Sequence, residues 1–426
     1  MTNAMRALAV WGDSITYAPI SADTALITAM TNRGGQFWVP ALTRQRVRTR
    51  TNLNFGVSGD TSTKASYRIG QVIDAKPDIV LVTIGTNDVS GAITAETFSI
   101  FKERFTYAVR AFLNAGIFVV ATPPPPWTLS TAANRNTFLR MVDWVRQQQF
   151  VGYDNFMLVD PTVNFVDPLA ADYSPKAGIT YDGLHPKAQG AYYWYAPVAN
   201  AILGLLPNFT DTVIATASDV YDATNNPQGN LISNGVLNGT TGTLTPNGAT
   251  MTGQVADTFR TEVLVNGGTV TSLVATPSKV ISSDGRPAQQ IALSGTYVGG
   301  FDTQVTFRTL PTNFTDYKPG DMVYAEAEYE IDSQAAEQNI SSIMCSLSIT
   351  MGSAYAARDG LAGSVADQLP AAAHSAVLRT QPILITAQPT LISVGVHSNL
   401  RQQGATVLTA QSTYRIKGVA LRKVAQ

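Results

Sequence analysis

The chain has 426 residues, more than the ~250–300 at which one hydrophobic core stops growing, so two domains are expected. Its composition, 45% hydrophobic and 14% charged, is that of a folded chain, and a net charge of −1 with scattered Lys and Arg excludes the basic footprint of a nucleic-acid binder. A single cysteine, Cys345, and three histidines, His185, His374 and His397, exclude a disulfide framework and a thiolate–imidazole metal cage.

Residues 6–11 read as a first strand that runs straight into Gly12-Asp13-Ser14, with no room for a charged leader and cleavage site. The expected location is therefore the cytoplasm, a mature secreted form or a virion. Further strands are predicted at 47–55, 78–84, 116–121 and 156–159, alternating with helices at 61–75, 95–115, 132–149 and 187–204, with Pro186 in the first turn of the last helix. Alternation of this kind is the pattern of a parallel α/β sheet, whose ligand site sits at the carboxyl ends of the strands. The longest apolar stretch, 191–206, carries four aromatics and Asn200 and is too short for a membrane span.

Four polar motifs follow these strands. Ser14 stands at a strand-to-loop turn, where its hydroxyl can project into the cleft but needs a base to become a nucleophile. In Asn54-Phe55-Gly56-Val57-Ser58-Gly59-Asp60-Thr61 a glycine lets a backbone N–H approach a reacting oxygen, and Ser58 or Asp60 can cap the next helix. Asn87, in Gly85-Thr86-Asn87-Asp88, offers an amide donor to an oxyanion. His185 is the only histidine in the first 373 residues, and Asp182, three residues earlier, can hold its Nδ1–H. Asp13, Asp60 and Asp88 are read as braces of their turns. Tyr17, Trp127 and Tyr181 are weaker candidates for the substrate-binding site, with loop anchoring as the alternative.

As a set, the four blocks (Gly12-Asp13-Ser14, Ser58-Gly59-Asp60-Thr61, Gly85-Thr86-Asn87-Asp88 and Asp182-x-x-His185) resemble the SGNH, or GDSL-type, hydrolases over about 200 residues. The resemblance implies a flavodoxin-like three-layer α/β/α domain. It also implies Ser14 as nucleophile, His185 as base, Asp182 as its orienter, and Ser14, Gly59 and Asn87 as oxyanion donors, with no metal or organic cofactor.

After Pro207 the texture changes to Thr, Ser, Asn and Gly, with strand-like runs at 303–308, 322–331, 343–350, 383–386, 391–396 and 413–423. The expected organisation is a catalytic domain over 1–207, a linker over 208–227 and an all-β domain over 228–426. Residues 230–235 and 413–421 give this half a loose similarity to the jelly-roll sandwiches of carbohydrate-binding modules. Its candidate sugar platforms are Tyr297, Tyr317, Tyr324, Tyr329, Tyr355 and Tyr414, and a calcium site built from carboxylates and carbonyls stays open there.

Together these readings point to an O-acetylesterase acting on an acetylated carbohydrate, with oligomerisation left open. The alternatives are a lipid or thioester hydrolase of the same superfamily, or a phage tail-associated binding or structural protein bearing a deacetylase domain.

Overall fold

The structure is a computed structural model that describes residues 6–17, 20–24, 27–49, 51–90, 94, 96–129, 131–170, 172–206, 214–299, 303–310, 315–333, 339–364 and 366–424. The chain divides into two compact units, Met1–Pro19 with Arg33–Pro207, and Ile20–Asn32 with Asn208–Gln426.

The first unit is built on a parallel sheet in the spatial order Val47–Arg48, Arg6–Gly12, Ile79–Thr83, Phe118–Ala121, Phe156–Leu158. Strands alternate with helices along the chain, and the order reverses at the first strand, the doubly wound arrangement whose crevice lies beyond the strand ends. Ala9, Trp11, Val80, Val82, Val119 and Ala121 form one core with the Thr97–Asn114 and Ala132–Arg146 helices. The alternate residues Leu8, Val10, Leu81 and Val120 are buried as well, so both faces of the sheet are covered.

The expected strand 47–55 is two short strands, because Ala7 pairs with Arg48 and Val10 with Asn54. A step of three residues on one side therefore corresponds to a step of six on the other, and the surplus is taken up by a 3-10 turn at Thr51–Leu53. The expected helix 61–75 is likewise two helices, Ser62–Ser66 and Ile69–Asp74. Pro186 lies outside the last helix, which starts at Ala188 after an extended Lys187. A buried helix at Gly35–Leu42, with Pro40 inside it, was not anticipated.

Among the described residues the second unit holds two eight-stranded, largely antiparallel sheets. One runs Thr250–Met251, Gly268–Ile281, Pro287–Gly299, Ser412–Lys423, Met322–Ile331, His374–Arg379 along its main path. The other runs Ile20–Thr24, Ile27–Thr31, Ser353–Leu361, Ile340–Met351, Leu391–Leu400, Gln304–Thr309, Val255–Leu264, Thr241–Thr245. The Tyr414 hydroxyl donates to Ser398 Oγ at 2.9 Å, joining a strand of one sheet to a strand of the other.

Two expectations about the division of the chain are corrected here. Residues 20–32 leave the α/β unit: the Ile27–Thr31 strand pairs in parallel with Ser353–Leu361, and Asn32 Nδ2 donates to Ser341 O at 3.1 Å. Of the stretch expected as linker, 208–213 fall outside the described residues, but 214–227 are part of the β unit. Arg422 donates to Ile214 O at 2.7 Å and pairs with Asp219. Tyr297, Tyr317, Tyr329 and Tyr414 are buried and so are core residues rather than exposed platforms.

Strand Met322–Ile331 also explains its own unusual composition. Ala325, Ala327, Tyr329 and Ile331 are buried, yet so are the alternate Glu326, Glu328 and Glu330. Glu328 is fully buried and accepts two hydrogen bonds from Arg286 at 2.9 and 2.6 Å, with Lys417 at 3.3 Å. A buried carboxylate is tolerated only when paired in this way.

Candidate functional site

Ser14 follows the carboxyl end of the first strand, on a turn closed by Thr16 N–H and Tyr17 N–H donating to Asp13 O at 3.2 and 2.9 Å. Asp13 Oδ1 accepts from Ile15 N–H at 3.0 Å and stiffens the same turn, as expected for a brace. Its Oδ2 is buried with no hydrogen-bond partner among the described residues. Burial, helped by the nearby charge of Asp88, pushes the Asp13 pKa up to about 7.

His185 arrives on the loop before the last helix. That loop is pinned by Tyr181 N–H to His185 O at 3.1 Å and Lys187 N–H to Ile179 O at 2.8 Å. Asp182 organises the loop from within. Its Oδ1 accepts from the backbone N–H of Leu184 and His185 at 3.0 and 2.7 Å, while Oδ2 lies 2.6 Å from His185 Nδ1. Burial alone would raise the Asp182 pKa, but the hydrogen bonds from the His185 side chain and from both backbone N–H groups outweigh it and hold the carboxyl below its usual range. An ionised carboxylate only accepts, so Nδ1 carries the imidazole proton and Nε2 is left with its lone pair. Nε2 lies 2.9 Å from Ser14 Oγ.

The other two motifs meet beside this chain of bonds. Gly56 packs so closely on the Ser14 turn that a Cβ there would come within 2.6 Å of Tyr17 N, which is why glycine is needed. Val57 N–H donates to Gly12 O at 3.2 Å. Gly59 has a φ of +79° and open space where a side chain would project. Asn87 Nδ2 donates at 3.1 Å to the carbonyl of Asp60, the residue after Gly59, so the two expected donor blocks are physically tied. Thr61, not Ser58 or Asp60, is the N-cap of the Ser62–Ser66 helix, and Asp88 secures its first turn by accepting from Ser62 N–H at 2.9 Å and Ser62 Oγ–H at 2.6 Å.

Sequence reasoning missed Arg68. It pairs with Asp60 and donates to Phe55 O at 3.2 Å and Gly12 O at 3.3 Å, so one guanidinium clamps the first strand, the Gly56–Asp60 loop and the helix break. No motif flags it; only its place at the break between two short helices hints at a role. Among the weaker candidates, Tyr181 stacks on the His185 ring, 5.4 Å between centroids at 16°, and Arg33 lies 4.8 Å over the Tyr181 ring. Tyr17 is 46% exposed on the Ser14 turn. Trp127 packs half-buried against the α/β core, and the next residue, Thr128, donates its N–H to Gly183 O at 3.2 Å, so Trp127 anchors the loop that supports the histidine.

Residues 10–192 match the GDSL-like Lipase/Acylhydrolase family model, and the N-terminal part of the chain therefore carries a GDSL-type acylhydrolase domain. Solved structures similar to the chain include a GDSL-like lipase from Bacteroides thetaiotaomicron, at 18% identity over 48% of this chain and 92% of that one, TM-score 0.35. Others are a carbohydrate esterase family 3 protein from Talaromyces cellulolyticus, at 19% identity over 47% and 98%, TM-score 0.32, and a catalytic mutant of an acetylxylan esterase from Geobacillus stearothermophilus, at 20% over 46% and 94%, TM-score 0.35. No curated protein matches the chain. Among the described residues no helix is long and apolar enough to cross a membrane.

Proposed function

We propose that the α/β unit is a serine esterase in which Ser14 is the nucleophile, His185 the general base and Asp182 its orienter. The observation that carries this reading is the unbroken series Ser14 Oγ, His185 Nε2, His185 Nδ1, Asp182 Oδ2, at 2.9 and 2.6 Å across its two hydrogen bonds.

In the proposed mechanism His185 takes the Ser14 proton as Oγ attacks the ester carbonyl. The new oxyanion is received by the N–H groups of Ser14 and Gly59 and by the Asn87 amide. Collapse of the tetrahedral intermediate expels the alcohol, which takes the proton back from His185. Water, deprotonated by the same imidazole, then attacks the acyl-enzyme, and loss of the carboxylic acid restores Ser14. Asp182 keeps the imidazole in one tautomer and offsets its positive charge while it is protonated.

The substrate in this reading is an acetylated carbohydrate. Ser14 and His185 are only half-buried, which suits a bulky alcohol moiety over a narrow acyl tunnel. The exposed rings of Tyr17 and Tyr181 beside them suit the apolar face of a pyranose. We read the β unit as a jelly roll. Counting from Pro287–Gly299 and leaving out the short off-path strands Ile383–Leu384 and Val407–Thr409, the eight remaining strands run first, eighth, third, sixth and second, seventh, fourth, fifth in the two sheets, an order that supports this reading. Acetate release measured on acetylated xylan, peptidoglycan, sialic acids and bacterial capsules tests the substrate class. A preference for long-chain acyl esters over all of these would refute it.

A further inference from the structure

The outer face of the second β sheet carries a cavity of about 560 Å³, within the ~300–1,000 Å³ range of small-molecule sites. Its floor is a cross-strand row. Ser346 stands opposite Arg358 on one side and Gly395 on the other, and His397 stands opposite Met344 and Thr306. The missing side chain at Gly395 matters here, because a Cβ would sit 3.2 Å from His397 Nε2. With that space clear, His397 Nε2 reaches Ser346 Oγ at 2.5 Å while Nδ1 meets Gln304 Oε1 at 3.1 Å.

This arrangement repeats the Ser14–His185 pattern, with an amide in place of the carboxylate. The chemistry differs. Burial, reinforced by the positive charges of Arg358 and Arg308, pushes the His397 pKa down to about 3, so the imidazole is too weak a base to activate Ser346. What the row supplies instead is a set of fixed hydrogen-bonding groups around one cation. Arg308 pairs with Glu262 at 2.5 Å, whereas among the described residues Arg358 has no carboxylate within ion-pair distance. Ser348 and Asn266 add further polar groups to the wall, and Leu264 and Met344 add apolar surface.

We propose that this pocket binds an acidic saccharide, with its carboxylate on Arg358, its hydroxyls on Ser346, Ser348, Gln304 and Asn266, and a C–H face of the ring on Leu264 and Met344. A guanidinium is the side chain best shaped to take a carboxylate bidentately, and convergent hydroxyl and amide groups over an apolar strip match a sugar ring. The pocket is lined by residues of the β unit alone, and the proposal stands whether or not the esterase reading does.

Calorimetric titration of the full chain with galacturonate, glucuronate and N-acetylneuraminate oligosaccharides, their neutral counterparts and inorganic phosphate tests the proposal. The expected result is at least tenfold tighter binding of one acidic saccharide than of its neutral counterpart. That preference should vanish in Arg358→Gln, survive in part in Arg358→Lys, and leave p-nitrophenyl acetate hydrolysis unchanged. If Arg358→Gln lowers the melting temperature, Ser348→Asp, which sets a carboxylate on the same sheet face diagonal to Arg358, should abolish the preference instead. Equal binding of acidic and neutral sugars, no binding by any of them, an unchanged preference in the well-folded variant, or displacement by equimolar phosphate would overturn it.

Discussion

Asp182 grips His185 at two points, its backbone N–H and its imidazole Nδ1, and accepts from the N–H of Leu184 between them. One carboxylate thus fixes the loop, the ring and the tautomer together. Asp182→Asn puts an amide where an ionised acceptor stood and removes the charge that offsets the imidazolium. The expected loss in kcat is about 10²–10⁴-fold with KM little changed, measured on a soluble acetyl ester. Because the Asp182 pKa is held below its usual value, its contribution to stability is present above the unfolded carboxylate range and lost as pH falls through the lower folded value. A kcat for Asp182→Asn equal to that of the wild type would remove Asp182 from the mechanism.

Asn87 is placed beside Gly59 by its bond to the Asp60 carbonyl. Asn87→Ala should lower kcat by about 10²–10³-fold, the usual effect of deleting one oxyanion donor. The check is a kcat and KM pair: a rise in KM alone would assign Asn87 to substrate binding rather than to the transition state.

Asp13 has the opposite pH signature to Asp182. Its folded pKa of about 7 lies above the ordinary 3.8, so the folded state binds its proton more tightly than the unfolded chain does. Its contribution to stability is complete below pH 3.8 and is lost as pH rises to about 7. Asp13→Asn keeps the acceptor for Ile15 N–H without the buried charge. It should flatten the fall in melting temperature between pH 5 and 8; a wild-type slope in the variant would show that Asp13 is already ionised at pH 5.

Glu328 tests the β unit. Glu328→Ala removes the buried one of two carboxylates that Arg286 and Lys417 share, leaving them Asp284 at 2.6 and 2.7 Å, and should cost about 1.5–3 kcal/mol in urea unfolding. A loss under 1 kcal/mol would mean that water or Asp284 takes over the pairing.

The α/β half was readable where strands end in chemistry. Ser14, Asn87 and His185 each follow a strand or precede a helix, and His185 has no rival in the first 373 residues. Arg68 was not readable, because its three side-chain partners are two backbone carbonyls and an aspartate eight residues back, and its helix break leaves no periodic signal. The Ile20–Thr24 and Ile27–Thr31 strands escaped for another reason: the second pairs with Ser353–Leu361, more than 300 residues away, and no local pattern encodes a non-local edge. The buried glutamates at 326, 328 and 330 alternate with buried Ala325, Ala327, Tyr329 and Ile331, and such alternation cannot tell solvent from a bed of arginines and lysines.

The most direct test of the account is a fluorophosphonate reaction read by peptide mass spectrometry together with p-nitrophenyl acetate turnover, in wild type and Ser14→Ala. The account predicts a single adduct on Ser14, none on Ser346, and loss of at least about 10³-fold in turnover with an unchanged melting temperature. An unmodified Ser14 in an active wild-type enzyme, or turnover that survives Ser14→Ala, would contradict it.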